Sequence, residues 1–142
     1  MQLDIVTPEK IVYSEEIDEL TVPTPQGEIS ILPEHIALVT RVSEGELTVI
    51  VKGKTYYLAV TGGFLQVQKD KITLLADYAI RSDDINTQKV LEARKRAEET
   101  LTKKREGMSE RDFAVAESEM RRAILELKVS SKRRKHSNIP GQ

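Results

Sequence analysis

The hydrophobic periodicity of this chain changes once, near Arg81-Ser82-Asp83-Asp84, and that change restricts the possible folds more than any other feature. Upstream, residues 3–6, 17–22, 28–32, 47–51, 55–60, 64–67 and 71–75 form short runs rich in β-branched and aromatic side chains, several of them alternating with period two. Turn chemistry separates the runs at Thr7-Pro8, Pro23-Thr24-Pro25-Gln26-Gly27, Glu44-Gly45, Lys52-Gly53-Lys54 and Lys69-Asp70-Lys71. Many short strands joined by tight turns predict an antiparallel sandwich or barrel over residues 1–84.

Downstream the period is helical. Residues 87–105 lack Gly and Pro, and Val90, Ala93, Ala97 and Leu101 recur at helical spacing. Gly107 interrupts the pattern. Ser109 then offers an N-cap hydroxyl with Asp112 three places on, and Phe113, Ala116, Met120, Ala123 and Leu127 carry the apolar seam through a second helix. So short a loop makes the helices antiparallel neighbours over residues 85–129, each roughly 19 residues and so ~28 Å long. Their alanine-rich seams bring little core, so the hairpin is marginal unless it packs on something else, and a marginal element is one that a partner can move. A plain structural hairpin, permanently docked, is the equal alternative. Residues 130–142, which include Lys132, Arg133, Arg134 and Lys135, read as a disordered basic tail.

A chain of 142 residues has room for one main core and an appendage. It has no cysteine, and its two histidines, His35 and His136, are far apart in sequence. That removes disulfides, thiolate nucleophiles and multi-histidine metal sites from expectation. No apolar run approaches the ~18 residues of a membrane span, and Met1-Gln2-Leu3-Asp4 lacks the segments of a secretory signal, so cytosolic exposure is expected. The net charge of −1 hides a division: residues 1–84 carry 7 basic and 14 acidic side chains, residues 85–142 carry 15 and 9. Opposite excesses point to two surfaces with different partners, or to one half folding against the other.

No catalytic arrangement is visible. Gly62-Gly63 precedes a strand pattern rather than a helix, which fits a turn or bulge better than a phosphate loop. His35 lies in a Pro33-initiated loop with no serine or acidic partner at a recognisable spacing, the setting of a structural histidine. A small hydrolase therefore lacks its nucleophile and base. The basic C-terminal half leaves a nucleic-acid-binding module as the main alternative, though only Phe113 follows Tyr78 among the aromatics that stacking on bases requires.

Five stretches taken together are specific. They are Leu3-Asp4-Ile5-Val6-Thr7-Pro8, Gln26-Gly27-Glu28-Ile29-Ser30-Ile31-Leu32-Pro33-Glu34-His35-Ile36-Ala37-Leu38, Thr61-Gly62-Gly63-Phe64-Leu65-Gln66-Val67, Thr73-Leu74-Leu75-Ala76-Asp77-Tyr78-Ala79 and Glu92-Ala93-Arg94-Lys95-Arg96-Ala97-Glu98. In this order and at these separations they resemble the epsilon subunits of the F-type proton-translocating ATP synthase over nearly the whole chain. The resemblance implies an N-terminal antiparallel β-sandwich, a C-terminal two-helix hairpin, and a non-catalytic subunit of the rotor without cofactor or metal. It implies docking to the gamma subunit and the ring of c subunits through the loop of Glu28, Ile29, Ile31 and His35. Contact with the alpha and beta subunits is implied when the hairpin extends; nucleic acid and direct membrane insertion are not. The implied location is peripheral, at the cytoplasmic face of a bacterial membrane or on a thylakoid.

The chain departs from the family pattern at Ser30 and Glu34, where glycines are usual, and Glu34 would be strained if its φ were positive. Some members bind ATP at a motif of Ile or Leu, Asp, two free positions, Arg and Ala. Here Ile85, Asn86, Lys89 and Val90 occupy those positions, and the upstream glutamate falls at Ile80, leaving only Arg96 of the charged set. Loss of two charge-assisted bonds removes about 3–6 kcal/mol, so nucleotide binding is not expected. The basic set Arg121, Arg122, Lys128, Lys132, Arg133, Arg134 and Lys135 is read as an inhibitory arm directed at acidic segments of the beta subunits.

Overall fold

The computed structural model describes residues 1–103, 107 and 109–137. The chain divides between Ser82 and Asp83 into two compact units. The first contains strands β1 (Gln2–Val6), β2 (Ile11–Glu16), β3 (Glu19–Thr24), β4 (Gly27–Ile31), β5 (Leu38–Val42), β6 (Gly45–Val51), β7 (Lys54–Val60), β8 (Gly63–Gln68), β9 (Lys71–Ala76) and β10 (Ala79–Arg81). They build two five-stranded sheets, ordered β2-β1-β9-β8-β5 and β10-β7-β6-β3-β4. The architecture is a sandwich, which resolves the choice between sandwich and barrel.

Alternation along each strand puts one set of side chains between the sheets. Leu3, Ile5, Leu65 and Leu74 of the first sheet meet Leu20, Leu47, Val49 and Leu58 of the second in one core. Burial of each such side chain stabilises by about 1.5–3 kcal/mol, and a one-residue slip would turn a whole strand's set toward water. The last strand is fixed across the sandwich. The Arg81 guanidinium lies 4.7 Å from the centre of the Tyr13 ring on β2, and its Nε donates to the Val12 carbonyl at 3.3 Å.

Three strands fall where the sequence pattern predicts none. In β2 only Tyr13 is buried, so no alternation shows; β5 is an edge strand with one buried residue; β10 has three residues. The sandwich is antiparallel, as expected, in every pairing but one. β1 runs parallel to β9, from Gln2 opposite Lys71 to Val6 opposite Leu75. These strands are not joined by a hairpin, so no tight turn dictates their direction. Where a turn does join neighbours, it behaves as expected: Lys52 and Gly53, at φ 50 and 78, make the two-residue connection between β6 and β7. Gly63 is a close-approach glycine, since a Cβ there would sit 2.1 Å from the Leu75 carbonyl oxygen.

A short 3-10 turn, Ser82–Asp84, spans the division, and the second unit holds helices α1 (Thr87–Lys103) and α2 (Glu110–Ser137). Each helix is capped. Asn86 Oδ1 accepts from the Lys89 N–H at 3.2 Å, and Ser109 Oγ from the Asp112 N–H at 3.1 Å. Val90 and Ala97 on α1, with Ala116 and Ala123 on α2, are buried, as the seam predicts. Phe113 departs from it and is largely exposed, because it lies about 60° around the helix from Ala116.

α2 is longer than expected. Residues 130–137, read from the sequence as disordered tail, continue its helical backbone. No Gly or Pro interrupts them, and Lys and Arg are good helix formers.

Candidate functional site

The segment from Glu28 to Val39 places its candidate residues in three different environments. Glu28, on edge strand β4, is exposed, and Ile29 is half-buried against the core. Ile31, expected in a docking loop, is instead fully buried between the sheets, where it anchors the end of β4 and reaches no partner. His35 is half-buried, with Nδ1 2.7 Å from the Ile36 carbonyl oxygen. Its N–H donates to the Leu32 carbonyl at 3.2 Å, closing a turn with Pro33 and Glu34 at the corner. Glu34 has φ 67, the conformation that a glycine would take without strain, as its departure from the family pattern implies. The turn presents Leu32, 52% exposed, and Ile36, 79% exposed, with exposed Val39 just beyond. In the sequence Leu32 and Ile36 read as apolar side chains flanking a turn, outside any alternating run.

A second apolar surface lies on the outer face of the first sheet. Ile11, Val6, Leu75, Phe64 and Arg41 are cross-strand partners in sequence, so they form one row over five strands. Leu75 is 57% and Phe64 56% exposed. The neighbouring row is polar at its centre: Asp4 Oδ1 accepts from Gln2 Nε2 at 3.0 Å and from Ser14 Oγ at 2.7 Å. Lys71 Nζ stands 3.6 Å from Asp4 Oδ2. Those two hydrogen bonds, then the lysine, hold the Asp4 carboxyl below its usual range.

The hairpin holds a cleft of about 420 Å³ between α1 and α2. Lys89 and Arg96 line it from α1, and Glu119, Arg122 and Glu126 from α2, over a small apolar floor that includes Ala93 and Ala123. The residues aligned with the nucleotide motif are thus only partly gathered here. Lys89 faces the cleft, whereas the Asn86 side chain is used as the cap of α1. The basic arm is divided as well. Arg121 and Lys128 are exposed, while Arg122 Nε pairs with Glu126 Oε1 at 3.4 Å. The side chains of Lys132, Arg133, Arg134 and Lys135 lie outside the described residues. Glu126 reads in the sequence as one more charge on a helix surface, yet it is buried.

These features make a two-unit chain: a β-sandwich with exposed apolar side chains, followed by a charged helical hairpin. Residues 1–82 match the family model for the β-sandwich domain of the ATP synthase delta/epsilon chain, and residues 83–131 match that for its long α-helix domain. An ATP synthase epsilon chain of Dehalococcoides mccartyi is 43% identical over 140 residues, covering 98% of each chain. One from Desulforamulus reducens is 45% identical over 129 residues, covering 91% of this chain and 96% of its own. In a structure of the Euglena gracilis mitochondrial ATP synthase containing OSCP, F1 and c-ring, one chain shares the fold with a TM-score of 0.59 at 19% identity. That match covers 96% of this chain and 80% of the other. The chain belongs to the ATP synthase delta/epsilon chain family and is a non-catalytic subunit of that complex.

Proposed function

We propose that, as a rotor-stalk subunit of the ATP synthase, this chain docks through its sandwich to the gamma subunit and the c-ring and restrains ATP hydrolysis with its hairpin. The carrying observation is the pair of exposed apolar surfaces on one rigid sandwich. The broad row of Ile11, Val6, Leu75 and Phe64 suits a permanent protein neighbour, with the Asp4 network and Arg41 as its polar rim. The smaller turn surface of Leu32 and Ile36, with exposed Glu28 on the strand that leads into it, suits the c-ring. Among the described residues no helix is long and apolar enough to cross a membrane. The complex then holds the chain peripherally, at the cytoplasmic face of a bacterial membrane.

Regulation falls to the hairpin, whose buried seam is mostly alanine and valine and therefore contributes few kcal/mol of its own. Its exposed cations Arg121 and Lys128 can meet an acidic surface, an attraction that weakens with salt. Deletion of residues 106–142 should raise ATP hydrolysis by the assembled complex and leave assembly intact. Unchanged hydrolysis at low and high salt, with coupling preserved, would make the hairpin a passive element. Phe64→Asp with Leu75→Asp should abolish incorporation beside gamma, and normal incorporation would remove that face from the interface.

A further inference from the structure

We propose that Glu126 is the resident counter-ion of the hairpin, a carboxylate that occupies the cleft, gathers Arg122, Lys89 and Arg96 around itself, and keeps α1 and α2 closed with no anion bound. The proposal rests on the hairpin being a movable arm and supplies the restraint on its opening.

Among the described residues Glu126 is the only charged side chain in the buried class, at 6% exposed, while Glu110, Glu117 and Glu119 on the same helix are exposed. A carboxylate withdrawn this far from water costs several kcal/mol unless cations surround it. Arg122 lies one turn before it, the weaker order for a pair on a helix, and is itself half-exposed. The facing helix adds Lys89 and Arg96, seven residues and so about two turns apart on one face of α1. Three cations and two carboxylates thus line a cleft whose apolar floor is small. Closure by charge fits such a floor, because Val90, Ala93 and Ala123 offer little apolar area at the cleft itself. An anion entering the cleft would meet the Glu126 charge at short range, so the same carboxylate rejects phosphate groups.

The test uses the full chain, with amide hydrogen exchange as the readout of closure and calorimetry with inorganic tripolyphosphate as the readout of anion binding. Glu126→Gln, which keeps shape and removes charge, should speed exchange in α1 and α2 about ten- to a hundredfold and leave the sandwich amides unchanged. It should also bind tripolyphosphate where the unaltered chain does not, and the bound anion should slow hairpin exchange again. Lys89→Gln with Arg96→Gln, changed only at exposed positions, should speed exchange without gaining the anion; Arg121→Gln, away from the cleft, should do neither. If Glu126→Gln lost its helical signal, the double variant would decide by the same readout. Exchange within about twofold of the unaltered chain in both variants, or equal tripolyphosphate binding with and without Glu126, overturns the proposal. A hairpin whose exchange responds to Glu126 while its deletion leaves hydrolysis unchanged would end the regulatory reading and keep the counter-ion.

Discussion

At Glu34 a side chain occupies backbone at φ 67, where an L-residue is held at a cost of about 1–2 kcal/mol. Glu34→Gly should therefore raise stability by ~1 kcal/mol, less what the freer unfolded glycine gives back, as denaturant midpoints would show. A lower midpoint would mean that the exposed carboxylate contributes more than the strain removes. Asp4 gives a pH signature. Its carboxyl titrates below the usual aspartate value because Gln2 and Ser14 donate to the ionised form and Lys71 lies beside it. The stabilisation is present above the ordinary value of 3.8 and is lost as pH falls through the lower folded value. Asp4→Asn should flatten that part of the acid unfolding curve, and an unaltered slope would assign it to other carboxylates.

For the helices, the caps determine whether a marginal hairpin forms. Ser109→Ala removes the acceptor for the Asp112 N–H and should cost the hairpin about 1 kcal/mol, with Asn86→Ala costing α1 a similar amount. Hydrogen exchange at the first turns would show the effect, and exchange unchanged in both variants would place the restraint elsewhere along the seam. The capping signal at Ser109 was legible because it is local: a hydroxyl, then an acidic residue at the right offset. The helix end was not. Basic residues after Val129 look equally like a tail or a last few turns when only composition is weighed.

For the whole molecule, the two-unit organisation predicts that the sandwich carries attachment without the arm. A chain of residues 1–84 should fold and join the ATP synthase, since the core side chains of the sandwich all precede Arg81. A folded fragment that fails to join would assign part of the docking surface to the hairpin.

The sequence by itself determined the order and type of the main elements, because strand and helix periods are properties of neighbouring residues and change visibly at Arg81-Ser82. It also determined the turn at Lys52-Gly53 and the family, whose motifs are contiguous. Only the tertiary structure decided the parallel pairing of β1 with β9, which unites residues about 69 apart. It alone separated the buried Ile31 from the exposed Leu32 and Ile36, and it alone aligned Val6, Ile11, Phe64 and Leu75 in a row. Burial and lateral register depend on strands distant in sequence, and one chain read from end to end carries no record of which of them lie side by side. Glu126 follows the same rule: its charge is written in the sequence, but its burial beside a cleft that Lys89 and Arg96 of the facing helix also line is decided by the tertiary structure.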